Sequence, residues 1–585
     1  MRKAKNIDLN GKWKLLILKD HKIKNENIKI RTIKDFYALG ERIYEVVVPG
    51  NFELDLFKAG DLEDPFFGLN TLKLQEFEDC HVYYCREFEY FEQEKNRPLF
   101  VFEGLDTLAE IWVNGELLAK TDNMLITHRI AAKKLKNGKN EIVIHFIPVC
   151  IEARNSQTAP GYCAGKYNYE MLRIRKASHM YGWDIMPRIV SAGIWRPVYI
   201  EYKPEEYIDD VYIMTHNENG EGKEASLCFY YTVHINSGLL KDYKIEVEGI
   251  CEDSRFEFES RLWFTAGKFS INVKNAKLWW PRGRGKPNMY NVKVSLYKSE
   301  HLIDLKELRI GIKTVVLNRT GVTDMAGQGK FQIEVNKEKV FILGTNWVPV
   351  DAFHSRDKER IPKILEMVTD IGCNAIRCWG GNVYEDEIFY NFCDENGIII
   401  WQDFALACAN YPQDTEMFDI IRKEAIQIVK DLRQHPCICL WSGDNECDLI
   451  MWRDVGNRNP NINEITRKVI KTIIDYEDPV RPYLPSSPFY DEDGYRIGRT
   501  FLTENHLWGP RDYYKSKFYT GIPCNFVSEI GYHGCPSVES IKKFISKDML
   551  WPWQNNPEWI VHCSSPETDN GPYNYRIELM ANQIK

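Results

Sequence analysis

The hydrophobic pattern divides the chain into two parts. Up to about residue 318, short runs alternate apolar and polar residues, with Gly, Asn and Pro between the runs. A period of two is typical of antiparallel strands that bury one face. From about residue 330, continuous apolar runs alternate with segments whose apolar residues recur at helical spacing. That pattern indicates parallel strands joined by helices, so we predict a multidomain protein that is β-rich first and α/β afterwards.

The β-rich part is long enough for two sandwiches. Residues 11–202 contain seven strand-like runs. Asn114-Gly115, between one of these runs and Glu116-Leu117-Leu118, is a hairpin signal, because a type I′ turn needs positive φ at both positions. We expect this first sandwich to be β throughout, with the basic residues between 22 and 34 on the solvated face of a strand. Residues 204–314 hold six or seven further runs, the size of an immunoglobulin-like sandwich.

The α/β part predicts seven parallel strands, with helices after each of the first four, as in a (β/α)8-type barrel. A possible eighth strand, at 559–563, is short. We therefore expect the barrel to stop before its eighth strand, which would leave the outer edges of strands one and seven unpaired. The seven predicted strands cover residues 339–347, 374–379, 398–403, 436–442, 483–485, 501–508 and 525–532.

Two glutamates follow the ends of predicted strands four and seven. Glu446 ends a buried run that breaks into small and polar residues, and Glu529 lies near the end of another apolar run. They are 83 residues apart (529 minus 446), too far for one helix or hairpin to pair them, but this suits about three strand-and-helix steps of a barrel. Two carboxylates that meet at a barrel mouth are the catalytic pair of a glycosidase. Taken singly, either could be a surface acid or a salt-bridge partner.

The composition of the chain argues against several other classes of function. The net charge of −8 (76 basic minus 84 acidic residues), without a basic run, argues against a nucleic-acid partner. No uncharged apolar run is long enough for a membrane span and no signal peptide is readable, so we expect a cytoplasmic protein. The sixteen cysteines are scattered through apolar segments without zinc-site spacing. We therefore expect free thiols and neither a metal nor an organic cofactor, while the oligomeric state stays open.

The chain resembles glycoside hydrolase family 2. The resemblance rests on Gly104 to Thr107 and Trp112 to Gly115 in the first sandwich, on Trp279-Trp280-Pro281 in the second, and on the barrel that follows. It implies an acid/base after strand four and a nucleophile after strand seven, which are the positions of Glu446 and Glu529. The expected domains are then a jelly-roll-like sugar-binding sandwich over 1–203, an immunoglobulin-like sandwich over 204–318 and an incomplete catalytic barrel over 319–585.

Within that family, the β-mannosidase branch is the most similar. The shared segments are Gly182-Trp183-Asp184, Arg377-Cys378-Trp379-Gly380-Gly381, Trp401-Gln402-Asp403-Phe404, Ala407-Cys408-Ala409, and Trp441-Ser442-Gly443 before Asn445-Glu446. Three residues depart from the branch: Asn382 stands for a Gly, Asp444 for an Asn and Leu507 for a Tyr. These changes lie beside the expected sugar subsite and leave the sugar itself open.

The resemblance implies a retaining, exo-acting enzyme that removes a terminal β-linked sugar, most closely β-mannose, from an oligosaccharide or glycoside. Glu529 would be the nucleophile, and Glu446 the acid/base, which we expect burial and the opposing charge to keep protonated. The other side chains, expected to stack on the sugar ring or to bind its hydroxyls, are Asn445, Trp379, Trp183, Asp184, His506, Trp508 and Tyr532.

Three alternatives remain. A relative in the same family could act on another β-glycoside, such as a glucosaminide, a galactoside or a glucuronide. A catalytically silent carbohydrate-binding fragment would share the aromatic site but would tolerate loss of either glutamate. A scaffold protein would lack a sugar-sized pocket at the barrel mouth.

Overall fold

The computed structural model describes residues 6–93, 96–165, 168–236, 238–510, 513–531, 534–563 and 575–584. The amino-terminal part forms antiparallel sheets of four and six strands that share one hydrophobic core, in which Phe100, Ile111 and Ile144 are fully buried. In sheet order, the four-stranded sheet contains Ile7–Asp8, Val198–Pro204, Asn96–Phe102 and His128–Ala131, and the six-stranded sheet contains Tyr44–Val48, Gly11–Lys19, Cys80–Tyr90, Gly138–Phe146, Ala109–Val113 and Glu116–Thr121.

The expectation that this part is β throughout is wrong. Short helices cover Asp20–Glu26, Ile33–Ala38, Phe52–Ala59, Asn70–Lys73 and Val149–Asn155. Two of them occupy the basic stretch that we expected to be a strand face. The reason is local: Thr32 and Asp35 form a reciprocal capping box, and Phe36 one turn later is buried. The Asn114-Gly115 hairpin is confirmed, with φ of 51° and 81° at its two turn residues.

The middle part contains the predicted sandwich of about seven strands. They form a three-stranded and a four-stranded antiparallel sheet around a common core, the strand number of an immunoglobulin constant-type domain. In sheet order the strands are Tyr207–Glu218, Ala225–His234 and Ala266–Val273, and then Ser254–Arg261, Tyr243–Cys251, Tyr290–Lys298 and His301–Ile310.

Seven parallel strands follow, and we number them β1 to β7. The first five form one sheet in chain order, and β6 and β7 form a second sheet. The strands are β1 Gly344–Trp347, β2 Ala375–Cys378, β3 Ile399–Asp403, β4 Ile438–Ser442, β5 Tyr483–Leu484, β6 Glu504–Leu507 and β7 Phe526–Ile530. The helical segments after β1 to β5 include Asp357–Asp370, Glu387–Asn396, Thr415–Leu432, Cys447–Arg453, Ile465–Ile470, Lys471–Glu477 and Glu492–Ile497.

The first predicted strand of this part is split in two. Lys339 and Val340 belong to the strand Glu338–Val340, which pairs in a small antiparallel sheet with Phe331–Val335 and Val315–Arg319. The turn before it is made by Asn336 and Lys337, both with positive φ. Only Gly344–Trp347 joins the parallel sheet, because that turn commits the preceding residues to a hairpin.

Among the described residues, the sheets are open and an eighth parallel strand is absent. The segment considered for that strand is instead the helix Pro557–Cys563. Its beginning explains the difference: the Asn556 side chain accepts a hydrogen bond from the Glu558 amide at 3.1 Å, and Pro557 occupies the first turn, where proline favours a helix. Other helices in this region are Phe518–Gly521, Val538–Ile541 and Tyr575–Ile584.

Buried ionic contacts hold the first sandwich against the parallel strands. Arg175 forms two hydrogen bonds to Glu424, at 2.8 and 2.9 Å, and both side chains are almost completely buried. Gly165 approaches so closely that its amide donates to the Cys408 carbonyl at 2.7 Å, and a Cβ atom there would lie 2.9 Å from the same oxygen. These contacts bring the segment after Arg175 to the carboxyl ends of the parallel strands.

Candidate active site

Glu446 directly follows β4 and is held in an unusual backbone conformation. It is the residue before the helix Cys447–Arg453 and has a φ of 58°, in the left-handed region that few non-glycine residues adopt. Its amide donates to the Ser487 carbonyl at 2.8 Å, which fixes the turn. Strain of this kind is commonly retained where a functional side chain must be aimed. The carboxylate points towards the ends of β6 and β7.

Glu529 meets Glu446 at this place, with His506 between them. The Nδ1 atom of His506 lies 2.9 Å from Oε1 of Glu446 and 3.5 Å from Oε2 of Glu529. One oxygen of each carboxylate and the ring nitrogen all lie within 4.8 Å of one another. His506 is fully buried, whereas both glutamate side chains are about 15% exposed. Two carboxylates remote in sequence therefore face one another at a solvent-accessible site.

Arg377 on β2 is a site residue that the sequence reasoning quoted in a motif but gave no role. Its guanidinium donates to Oε2 of Glu529 at 3.0 Å, to Asp403 at 2.7 Å and to Oδ1 of Asn445 at 2.8 Å. The side chain is only 4% exposed. A single cation within the apolar strand Ala375–Cys378 was the available signal, because a buried charge requires partners of opposite sign.

Asn445 is aligned from two sides. Its side-chain oxygen accepts from Arg377, and its Nδ2 atom lies 3.4 Å from the sulfur of Cys408. The Cys408 thiol in turn lies 3.3 Å from Oε2 of Glu446. Cys408 is therefore a second site residue without a role assigned from the sequence. It connects the amide to the carboxylate of Glu446.

Trp508 contacts the carboxylate of Glu529 directly. Its indole N–H donates to Oε1 of Glu529 at 2.6 Å, so Trp508 and Arg377 bind different oxygens of one carboxylate. Gly531 leaves room for the indole, since a Cβ atom there would lie 2.7 Å from the ring. Tyr532, another candidate from the sequence, lies outside the described residues.

Trp183 and Trp379 meet although they belong to different parts of the chain. Their rings pack edge to face with centroids 5.1 Å apart. The Trp183 turn closes on itself through two backbone hydrogen bonds to Met186, at 3.0 and 3.3 Å, and Asp184 lies half-buried in that turn. We call this Trp183–Trp379 pair the aromatic wall. A nearby backbone hydrogen bond joins the two chain segments that carry it, because the amide of His179 donates to the carbonyl of Gly381 at 3.2 Å.

The protonation of the glutamate pair differs from our expectation. Burial would raise the pKa of Glu446, but the hydrogen bond and charge of His506 lower it to about 2. The expectation that burial keeps Glu446 protonated is therefore wrong. For His506, burial alone would lower the pKa, because it disfavours the charged form. The two carboxylates, Glu529 first and Glu446 next, raise the pKa of His506 above its usual value.

The same three side chains are the cluster of potential metal ligands found among the described residues. Their atoms are close enough for a cation, but each is already engaged. His506 binds Glu446, and the Arg377 guanidinium lies 3.0 Å from Glu529, where it supplies positive charge. The donor set therefore suits a proton network better than a metal centre.

Two of the three departures from the branch are buried near the aromatic wall and β6. Asn382 donates to Oε1 of Glu385 at 2.8 Å, and Trp347 donates to the same oxygen at 2.8 Å. The backbone N–H of Asn382 donates to the Trp379 carbonyl at 3.2 Å, so Asn382 supports the loop that carries that indole through its backbone as well as its side chain. Leu507 is 2% exposed at the end of β6.

The third departure, Asp444, is a fully buried acid behind Glu446. Its Oδ1 atom accepts from the Cys447 amide at 3.1 Å and from the Ser486 hydroxyl. Burial, with the nearby charge of Asp448, raises the pKa of Asp444 well above its usual value. The neutral acid has the shape of the amide it replaces, so we infer that Asp444 acts as a structural equivalent of asparagine.

Replacing Asp444 by Asn should remove part of the pH dependence of stability. The wild-type side chain takes up a proton on folding, so its contribution is present below about pH 4 and is lost as pH rises towards the folded pKa. Over that window the free energy of unfolding of wild type should fall by about 1.4 kcal/mol per pH unit relative to Asp444→Asn. Urea unfolding at several pH values measures this. Parallel curves for the two proteins would show that Asp444 folds ionised.

Two family models match the chain. One, described as glycosyl hydrolase 2 galactose-binding domain-like, matches residues 23–196, and the other, described as glycosyl hydrolases family 2, matches residues 206–313. A β-mannosidase B of Thermothelomyces thermophilus is 29% identical over 85% of this chain and 60% of its own length. A β-mannosidase of Capra hircus is 28% identical over 91% of this chain and 64% of its own length. The chain thus spans about three fifths of these curated relatives.

Solved structures extend the similarity through the parallel strands. The β-D-mannosidase of Dictyoglomus thermophilum superposes with a TM-score of 0.82 at 28% identity, over 99% of this chain and 71% of that one. An exo-chitosanase of Amycolatopsis orientalis, at 15% identity and a TM-score of 0.66 over 93% of this chain and 60% of that one, shares the fold alone. Residues 23–196 and 206–313 thus match models of glycoside hydrolase family 2, and most of the chain is similar to β-mannosidases.

Proposed function

We propose that this protein hydrolyses a terminal β-linked mannose from a glycoside or oligosaccharide, with retention of configuration. The observation that carries the proposal is the glutamate pair, whose nearest oxygens lie within 4.8 Å. Retaining glycosidases keep their carboxyl groups about 5 to 5.5 Å apart, whereas inverting enzymes leave about 6.5 to 9.5 Å for a water. The close approach of Glu446 and Glu529 supports the retaining geometry.

Within this proposal, β1 to β7 are the first seven strands of a (β/α)8-type barrel, and the two preceding sandwiches are its accessory domains. Contacts between the first and last strands support a curved arrangement. Asn346 on β1 donates to the carbonyl of Ser528 on β7 at 3.1 Å, and Arg377 on β2 reaches Glu529. The jelly-roll topology and the boundaries near 203 and 318 belong to the same proposal.

The proposed reaction proceeds in two displacements. Glu529 attacks the anomeric carbon while Glu446 gives a proton to the departing glycosidic oxygen, which leaves a glycosyl ester on Glu529. Glu446 then takes a proton from water, the water attacks the same carbon, and the ester bond to Glu529 breaks. Arg377 and Trp508 each donate to a different oxygen of Glu529, so they hold its carboxylate in a fixed orientation before the attack.

The assignment of mannose draws on the relatives, since those of about 28% identity are named β-mannosidases. In this proposal the edge-to-face wall of Trp183 and Trp379 contacts the sugar ring, and the Trp183 turn closes one end of the site. Asp184 and Asn445 bind sugar hydroxyls. A closed end suits removal of a terminal unit rather than cleavage within a polymer.

A panel of 4-nitrophenyl β-glycosides tests this function. We expect turnover of the mannoside to exceed that of the glucoside, galactoside, glucosaminide and glucuronide, and the first product to have β configuration by proton NMR. Glu446→Gln should lose about 10²- to 10⁴-fold in kcat/KM, the usual contribution of a general acid. An exposed glutamate variant, Glu539→Gln, should retain full activity. No turnover of any glycoside, or an α-configured first product, would contradict the proposal.

A further inference from the structure

His506 was expected to bind substrate, but its surroundings favour another role. It is fully buried, and both ring nitrogens are engaged by protein groups. Nδ1 lies between the two catalytic carboxylates, 2.9 Å from Glu446 and 3.5 Å from Glu529. Nε2 lies 3.0 Å from the hydroxyl of Ser487. The ring is therefore placed to act on the glutamates rather than on a sugar.

The hydrogen bonds determine how many protons the ring carries. Ser487 has one hydroxyl proton, which it donates to Oε1 of Glu504 at 2.8 Å, so its oxygen is left to accept from Nε2 of His506. Ionised carboxylates only accept, so Nδ1 must donate to Glu446. If Glu446 is ionised, both nitrogens then carry hydrogen, and His506 is an imidazolium.

We propose, resting on the proposed hydrolase function, that His506 is a positioning residue that stores the catalytic proton and delivers it to Glu446 when the glycosidic bond breaks. In the resting site, His506 is charged and both glutamates are ionised. This placement agrees with the lowered pKa of Glu446 and the raised pKa of His506. Burial makes the arrangement stable only because the opposite charges are in direct contact.

The proton moves along one hydrogen bond and returns by the same route. As Glu529 bonds to the anomeric carbon it loses its negative charge, and one of the two carboxylates that stabilise the imidazolium is gone. The proton passes from Nδ1 of His506 to Oε1 of Glu446 and then to the departing oxygen, which leaves His506 neutral. In the second step, Glu446 takes a proton from water, the ester to Glu529 breaks, and the restored charge draws that proton back to His506.

Other charged groups near the same ring also favour or disfavour its imidazolium form. Glu504, on the same strand, has an oxygen 3.9 Å from Nε2, and Arg499 donates to the carbonyl of His506. Arg377 disfavours the imidazolium, while Asp403, which binds Arg377 at 2.7 Å, offsets that cation. The carboxylates around His506 thus outnumber the cations.

A titration by NMR tests where the proton rests without requiring activity. In the full chain labelled with ¹⁵N-histidine, the His506 signal is assigned by its loss in His506→Asn. We expect both ring nitrogens to keep imidazolium shifts above about pH 6.5, the usual midpoint for histidine, and the midpoint to fall by about one unit in Glu446→Gln. A neutral His506 at pH 6 in the wild-type chain would overturn the proposal.

Kinetics test the transfer itself. For a mannoside with a poor leaving group, His506→Asn should lower kcat by about 100-fold, the smaller end of general acid effects, with little change in KM. For the 2,4-dinitrophenyl mannoside, which needs no proton, the loss should stay below about fivefold. The basic limb of the pH profile should move to lower pH, because the proton then rests on a carboxylic acid. An equal loss of kcat on both substrates, together with an unchanged pH profile, would overturn the proposal.

Two controls keep these results interpretable. His21→Asn changes an exposed histidine and should leave both substrates unaffected. If His506→Asn does not fold, the His506 signal is identified instead as the one whose midpoint shifts in Glu446→Gln. Ser487→Ala keeps the ring but removes its Nε2 acceptor, so it should lower the midpoint of that signal, and an unchanged midpoint would count against the proposal. A wild-type chain that hydrolyses no glycoside would refute the hydrolase function, while the NMR titration would still report where the proton rests.

Discussion

Glu529→Ala is expected to abolish turnover almost completely. Loss of a catalytic nucleophile typically costs about 10⁴- to 10⁶-fold in kcat, because no other group can form the covalent intermediate. Azide with an activated mannoside should restore part of the rate in Glu529→Ala, attacking from the vacated face to give an α-glycosyl azide. The measurement is initial rate with and without azide, together with the product's configuration by NMR.

The matching variant at the other carboxylate discriminates between the two roles. In Glu446→Ala the nucleophile remains, so azide should replace water in the second step and give a β-glycosyl azide. Exchange of these two products between the variants would reverse the assignment of acid/base and nucleophile. Activity of Glu529→Ala equal to that of the exposed-site variant Glu539→Gln would remove Glu529 from the chemistry altogether.

Arg377→Ala should damage both stability and catalysis. The guanidinium lies between two carboxylates and the Asn445 oxygen, and the position is only 4% exposed. Removing one member of a buried ion pair leaves an uncompensated charge, which costs about 3–5 kcal/mol. We expect a loss of that size in the free energy of unfolding in urea. We also expect a fall in kcat of at least about 100-fold, because Glu529 loses a charged hydrogen-bond donor.

An exposed arginine provides the control for this result. Arg422 pairs with Asp419 on the surface of the helix Thr415–Leu432, where both side chains are about half exposed. Arg422→Ala should cost less than about 1 kcal/mol and leave kcat unchanged. Arg377→Lys keeps the charge but cannot bind three acceptors in the same plane, so it should fall between wild type and Arg377→Ala. Equal stability of Arg377→Ala and Arg422→Ala would contradict the buried-pair argument.

Some features could be predicted from the sequence because they depend on residues that are neighbours along the chain. Glu446 and Glu529 could be predicted because each lies at the end of an apolar run, and parallel strands bring such ends to one edge of a sheet. The hairpin at Asn114-Gly115 could be predicted because its residues tolerate positive φ. The failed prediction over residues 22–34 was also local in origin, because the capping box of Thr32 and Asp35 starts a helix where we expected the face of a strand.

The roles of the remaining site residues depended on distances between segments far apart in sequence. His506 and Trp508 lie close together on one short segment, yet one binds both glutamates and the other a single oxygen of Glu529. The protonation of Glu446 could not be derived from its burial alone, since the sign of its pKa shift comes from a histidine 60 residues away.

The sequence by itself determined that a β-rich part precedes an α/β part, the seven parallel strands and the two carboxylates at strand ends, since periodicity and turn chemistry are encoded by neighbouring residues. Only the tertiary structure decided which groups surround those carboxylates: Arg377 and Trp508 on Glu529, and His506 and Cys408 on Glu446. The physical reason is that hydrogen bonds and electrostatic shifts act over a few ångströms in space, and chain separation does not report those distances.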